Sequence, residues 1–260
     1  MLWPSNLSAY YPYNPAAIQT WQVGSALAVI SAFSVLAIVA ARRFPHCTVG
    51  WFWYIGAFVP VIGFIRIGEQ AMADRYTYIP LIGLFILIVW GVADLTDRFR
   101  FPDAAVVAAA TVLITACTLL TFLQARTWHD SGTLFSHALE VTENNWIAHK
   151  NLAAALAKQG DFGGALLHAT ESLRIRPEPQ EYVSQGWLYL QLGMYDKAVE
   201  ACRNSLDMMP VNDKAHFIMG LSFVCLKDFR SAQAKFEALR DGNSPYAAQL
   251  LDKMNGIGMR

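Results

Sequence analysis

Charge is what this 260-residue sequence has least of. Only 15% of its residues are Asp, Glu, Lys or Arg, and the first 41 carry none, against about a quarter in soluble domains. The deficit is local. Six basic and five acidic residues fall at or before position 125, and 14 basic and 15 acidic residues follow it. A membrane domain over 1–125 followed by a soluble domain over 126–260 accounts for the split. Near-neutral charge in both halves lacks the basic footprint of a nucleic-acid binder. Cysteine is scarce as well. Cys47, Cys117, Cys202 and Cys225 form no CxxC pair, which removes support for a zinc ribbon or a disulfide framework. They read as small apolar packing residues. No HxxxH or HExxH pattern occurs, so His129, His137, His149, His168 and His216 read as structural or surface residues, and no metal is expected. A basic stretch followed by a short apolar run and a cleavage site is missing too, so no signal peptide is predicted.

What is present is four runs without charge, at about 23–41, 48–65, 76–93 and 104–124. Each has the length needed to cross a hydrocarbon core of about 30 Å. Trp21, the block Trp51-Phe-Trp-Tyr54, Tyr76, Tyr78 and Trp90 sit near run ends, as aromatic residues do at the headgroup interface. The runs predict about four transmembrane helices. The loops at 42–46 and 94–103 hold four arginines, and Arg66, Arg75 and Arg126 lie on the other side. That bias puts the first pair of loops in the cytoplasm and the C-terminal half outside it.

Between the second and third runs, segment 66–80 gathers Arg66, Glu69, Asp74 and Arg75 with Tyr76. Charge at a bilayer boundary is costly unless a polar site holds it, so these residues are functional candidates. A guanidinium offers a planar fork matched to phosphate. Three uses stay open: a structural clamp of Arg against Asp or Glu, a phosphate-bearing lipid or glycan site, and an ion path.

The soluble half repeats itself. Gly160, Phe162 and Ala165 recur 33 residues on as Gly193, Tyr195 and Ala198, and Gly186, Tyr189 and Ala198 recur 34 on as Gly220, Phe223 and Ala232. Pro177 and Pro210 end the first two units. Small residues let the helices of a unit approach, an aromatic fills the wedge after the turn, and Pro stops the second helix. The period resembles the tetratricopeptide repeat. Three units at 146–177, 179–210 and 213–244 are predicted. A half repeat at 131–141 precedes them and a capping helix at 246–254 follows. The fold class is therefore all-α: polytopic transmembrane helices followed by a tetratricopeptide-repeat α-solenoid. The first helix of each unit is expected to line a concave groove for a polypeptide partner, with Lys150, Ala154, Trp187, Leu190, Phe217 and Leu221 as candidates. Packing against neighbouring helices is the competing use of those residues.

A family resemblance rests on three segments. Ala73-Asp-Arg-Tyr-Thr-Tyr-Ile-Pro-Leu-Ile-Gly83 resembles a late-membrane motif of bacterial proteins related to the transmembrane and tetratricopeptide-repeat O-mannosyltransferases, within the GT-C glycosyltransferases. Pro4-Ser-Asn-Leu-Ser-Ala-Tyr-Tyr-Pro12 resembles one of their loops. Ala125-Arg-Thr-Trp-His-Asp-Ser-Gly-Thr-Leu-Phe135 resembles their junction into the repeats. The resemblance implies a multi-pass protein of the bacterial inner (plasma) membrane with extracytoplasmic repeats. It implies transfer of sugar from a polyprenyl-phosphate carrier to an acceptor, often a protein hydroxyl. Arg75, supported by Asp74 and Tyr76, is then the contact to carrier phosphate, with Glu69 and Arg66 nearby. The family's catalysis uses acidic residues of its first extracytoplasmic loop. Residues 1–20 contain no carboxylate, so a general base cannot come from them and no catalytic residue is assigned. The opening, rich in Pro and Tyr, reads like a loop between helices, and the chain is expected to be the C-terminal part of a larger protein. The alternative is a non-enzymatic membrane-anchored scaffold that docks a partner protein through its repeats.

Overall fold

A computed structural model describes residues 7–12, 19–60 and 74–258. It divides into two compact units, Met1–His129 and Asp130–Arg260.

The first unit holds α1 (Thr20–Ala40), α2 (Pro45–Phe58), a short 3-10 turn (Asp74–Thr77), α3 (Tyr78–Phe99) and α4 (Asp103–Ala125). Among the described residues three helices are long and apolar enough to cross a membrane: Thr20–Ala40, Tyr78–Phe99 and Asp103–Trp128. At a rise of about 1.5 Å per residue each exceeds the hydrocarbon thickness. Of the run expected at 48–65, the structure describes α2, 14 residues long; positions 61–65 lie outside the described residues. In α4, Thr111, Thr115, Thr118 and Thr121 each donate a hydroxyl hydrogen bond to the carbonyl four residues back at 2.8 Å. Hydroxyls tied in this way cost little in lipid.

Within this unit α2 packs against α1 and α3. Thr48 Oγ1 donates to the Ala37 carbonyl (2.7 Å) and Trp51 Nε1 to Ser34 Oγ (3.0 Å). Trp53 Nε1 donates to the Ile79 carbonyl (3.0 Å). The tightest approach is Gly50 of α2 against Gly83 of α3. A Cβ at Gly50 would lie 2.5 Å from the Gly83 carbonyl oxygen, and one at Gly83 would strike the Gly50 carbonyl. Lipid offers little hydrophobic drive between helices, so close backbone contact between small residues supplies the attraction.

The second unit is a run of antiparallel helix pairs: α5 (Ser131–Val141), α6 (Trp146–Lys158), α7 (Phe162–Ile175), α8 (Pro179–Gln191), α9 (Tyr195–Met208), α10 (Asp213–Cys225), α11 (Phe229–Asp241) and α12 (Tyr246–Gly258). Helix α6 packs on α7, α8 on α9 and α10 on α11. This is the all-α repeat solenoid the period implies. Side chains of Asp130, Asn145, Asp161, Asn212 and Asp228 each accept a backbone N–H of the first helical turn, which fixes where five of the helices begin. Ala165, Ala198 and Ala232, equivalent residues of the three units, are wholly buried. Gly186 faces Cys202 so closely that a Cβ would lie 2.6 Å from its Sγ.

Turn chemistry breaks the repeat at one place. Gly160 (φ 84°) and Gly193 (φ 73°) take the left-handed turn between paired helices, and Lys227 (φ 61°) takes it in the third unit. A residue with a Cβ pays about 1–2 kcal/mol there. Lys227→Gly is expected to stabilise the chain by about 1 kcal/mol, read as a raised melting temperature in detergent; an unchanged or lower one refutes the strain.

The cysteine reading needs correction. Cys202 is fully buried, and burial pushes its thiol pKa up to about 12. Cys117 and Cys225 are exposed and Cys47 is intermediate. Cys117 lies on α4, none of whose residues is buried, and Cys225 is the last residue of α10. His216 is half-buried, with Nδ1 lacking a hydrogen-bond partner among the described residues. Burial first, then Lys235, lowers its pKa, against opposing pulls from the Pro210 carbonyl and Asp213. The unfolded chain therefore takes up this proton more readily. Its contribution is complete above the unfolded value near pH 6.5 and is lost as pH falls through the lower folded value. Melting temperature should drop between about pH 7 and pH 5, and drop less in His216→Phe; equal drops would refute the assignment.

Candidate functional site

The two sequence candidates fare differently. In the segment before α3, Arg66 and Glu69 lie outside the described residues, as do the side chains of Asp74 and Arg75. The backbone of Asp74–Thr77 forms the 3-10 turn that leads into α3. Tyr76 is half-buried there and Tyr78 is exposed. Pro80 is buried in the first turn of α3, where its missing N–H costs nothing.

The groove residues come together. Lys150 and Ala154 of α6, Trp187 and Leu190 of α8, and Phe217 and Leu221 of α10 line one cavity of about 630 Å³. Three successive first helices supply its floor because units stacked in register present the same helix face. Tyr246, at the start of α12, closes the far end and stacks on Phe217 with ring centroids 5.0 Å apart. Trp187 stands edge-on to Phe162 at 5.6 Å. The volume falls within the range of sites for small molecules or side chains.

One end of the groove carries a charge network. Lys150 Nζ lies 2.8 Å from Glu181 Oε1 and 3.8 Å from Glu178 Oε2. Arg176 Nε lies 3.1 Å from Glu178 Oε1, and its guanidinium rests 4.6 Å from the centre of the Trp146 ring. The Glu181 side chain is only 4% exposed and that of Lys150 37%. Lys150 thus ties the first repeat to the second. Lys158 and Lys214 add positive charge to the lining.

Sequence reasoning missed Glu181, Lys214 and Tyr246. A signal for Glu181 existed. Counting back from Trp187 along α8 in steps of three passes Ser184 and then Glu181, all three on the groove lining. Among the described residues no group of three or more His, Cys, Asp or Glu side chains is placed to hold a metal ion.

No protein-family model matches the chain. Protein O-mannosyl-transferase TMTC1 of Mus musculus is 30% identical over 178 residues, which cover 60% of this chain and 19% of that protein. Protein O-mannosyl-transferase TMTC3 of Homo sapiens is 27% identical over 140 residues, 54% of this chain and 15% of its own length. Tetratricopeptide repeat protein 12 of Mus musculus is 26% identical over 103 residues, 39% of this chain. The repeat unit Asp130–Arg260 is about half of the chain, so matches covering 54% and 60% reach into the membrane unit as well. The chain is a relative of the TMTC proteins. It spans a fifth or less of the length of these curated relatives. Its three long apolar helices and its likeness to these proteins make it membrane-associated.

Proposed function

We propose that the chain is the C-terminal part of a membrane glycosyltransferase acting in extracytoplasmic protein O-glycosylation. The observation that carries this reading is a match to O-mannosyl-transferases longer than the repeat unit. The donor is a polyprenyl-phosphate-linked sugar in a bacterial inner membrane. Arg75, with Asp74, Tyr76, Glu69 and Arg66, contacts the carrier phosphate at the outer bilayer face. The groove through Lys150, Trp187, Phe217 and Leu221 recruits the polypeptide acceptor. The test is sugar transfer from a polyprenyl-phosphate donor in membranes that hold the chain within its full-length protein. Arg75→Ala is expected to cut transfer roughly 100-fold, as loss of a charge-stabilising donor does, and Trp187→Ala to weaken acceptor binding without that loss. Transfer at the unmodified rate in Arg75→Ala sinks the phosphate site.

A second reading is a non-enzymatic scaffold. What favours it is a large apolar-floored groove lined by the first helices of three successive repeats. Partner binding through Trp187, with no transfer detectable in the full-length protein, would select the scaffold.

A further inference from the structure

The first repeat brings together two imidazoles that the groove does not use. His149 of α6 and His168 of α7 face each other with Nδ1 atoms 3.0 Å apart. Their ring centroids are 5.3 Å apart and the rings are tilted by 34°. Both rings are half-buried. Burial is the first cause that lowers the pKa of each, which favours the neutral, lone-pair-bearing form at neutral pH.

Two ring nitrogens this close have two uses. They can share one proton in a hydrogen bond, or both can aim lone pairs at one cation. Imidazole nitrogen binds zinc-class ions at about 2.0–2.1 Å. At that length a 3.0 Å separation corresponds to an angle of about 91–97° at the metal. Tetragonal Cu²⁺ takes that angle directly. Tetrahedral Zn²⁺ requires the rings to part by about 0.3–0.4 Å, within ordinary side-chain motion. Charge of both signs lies beside the pair. Glu171 follows His168 by one helical turn and its charge favours a cation at both rings, while Arg174 opposes it at His149. Arg174 bridges Glu171 at 2.7 Å on the surface, a pairing weak enough to yield to a metal. His149 and His168 come from different helices, so an ion held between them would pin α6 to α7.

We propose that His149 and His168 form a two-imidazole site for a zinc-class divalent cation, completed by water, that staples the two helices of the first repeat. The full chain, freed of any affinity tag, stripped with chelator and held in detergent, is dialysed against Zn²⁺. The expected result is one Zn²⁺ more per chain than in His149→Asn or in His168→Asn, with circular dichroism showing that each variant keeps its helices. Bound Zn²⁺ should also fall as pH drops, because protons compete for the same lone pairs. A second measurement needs no variant. One equivalent of Cu²⁺ added to the unmodified chain should give an electron paramagnetic resonance spectrum with coupling to two imidazole nitrogens. Equal Zn²⁺ in all three chains, no retained Zn²⁺, or a Cu²⁺ spectrum with fewer than two coupled nitrogens overturns the proposal and leaves the pair as a hydrogen bond.

Discussion

Gly83→Ala separates α2 from α3. A methyl at position 83 meets two backbone atoms of the facing helix, the Gly50 carbonyl oxygen and the Tyr54 nitrogen at 2.8 Å, and the side-chain Cδ1 of Trp53 at 3.0 Å. Backbone atoms cannot swing aside as a flexible side chain can, so one helix has to move. Overpacking of this kind costs about 1–3 kcal/mol, and two backbone clashes put Gly83→Ala at the upper end. The shift also strains the Trp53 bond to the Ile79 carbonyl. Gly91 is the control. It lies on the same helix with nothing within 4 Å of an added Cβ, so Gly91→Ala is expected to be neutral or to stabilise by up to about 1 kcal/mol through helix propensity. Thermal unfolding of both variants in the same detergent decides it. Equal melting temperatures would show that the glycine crossing does not hold the pair together.

That crossing was not legible in the sequence, and the reason is geometric. Gly24, Gly50, Gly56, Gly83 and Gly91 all sit in apolar stretches, and nothing local separates the two that touch from the three with open space beside them. The repeats were legible because their logic is periodic. An alanine recurring at one unit's spacing has to be buried each time, and Ala165, Ala198 and Ala232 are. Legibility failed where a residue broke the period or met a partner far along the chain. Lys227 takes the turn that glycine takes twice. His149 and His168 are 19 positions apart, on helices whose facing surfaces only the pair packing fixes. In the groove, residue type pointed to Trp187 and Phe217. Glu181 carried no such mark, because a carboxylate near a helix start is common on surfaces.

Glu181 is the residue that decides the second large effect. Lys150→Ala leaves its carboxylate buried without its closest cation. The Lys150 ammonium sits 2.8 Å away, and the Glu181 side chain is only 4% exposed. An abandoned buried charge costs several kcal/mol, and Lys150, 37% exposed, leaves part of that cost to water. The expected loss is about 2–3 kcal/mol. The same replacement removes a groove residue, so binding assays on Lys150→Ala alone would mix instability with lost contact. The double variant Lys150→Met with Glu181→Leu separates the two. It removes both charges, fills their volume with apolar atoms, and is expected to recover most of the stability. If the pair is only a staple between the first and second repeats, the double variant will bind acceptor or partner polypeptide as the unmodified chain does. If Lys150 also contacts the polypeptide, the double variant will be stable and still bind weakly. A Lys150→Ala chain with unchanged stability would show instead that the ion pair does not join the first and second repeats, which are then held together by their apolar contacts alone.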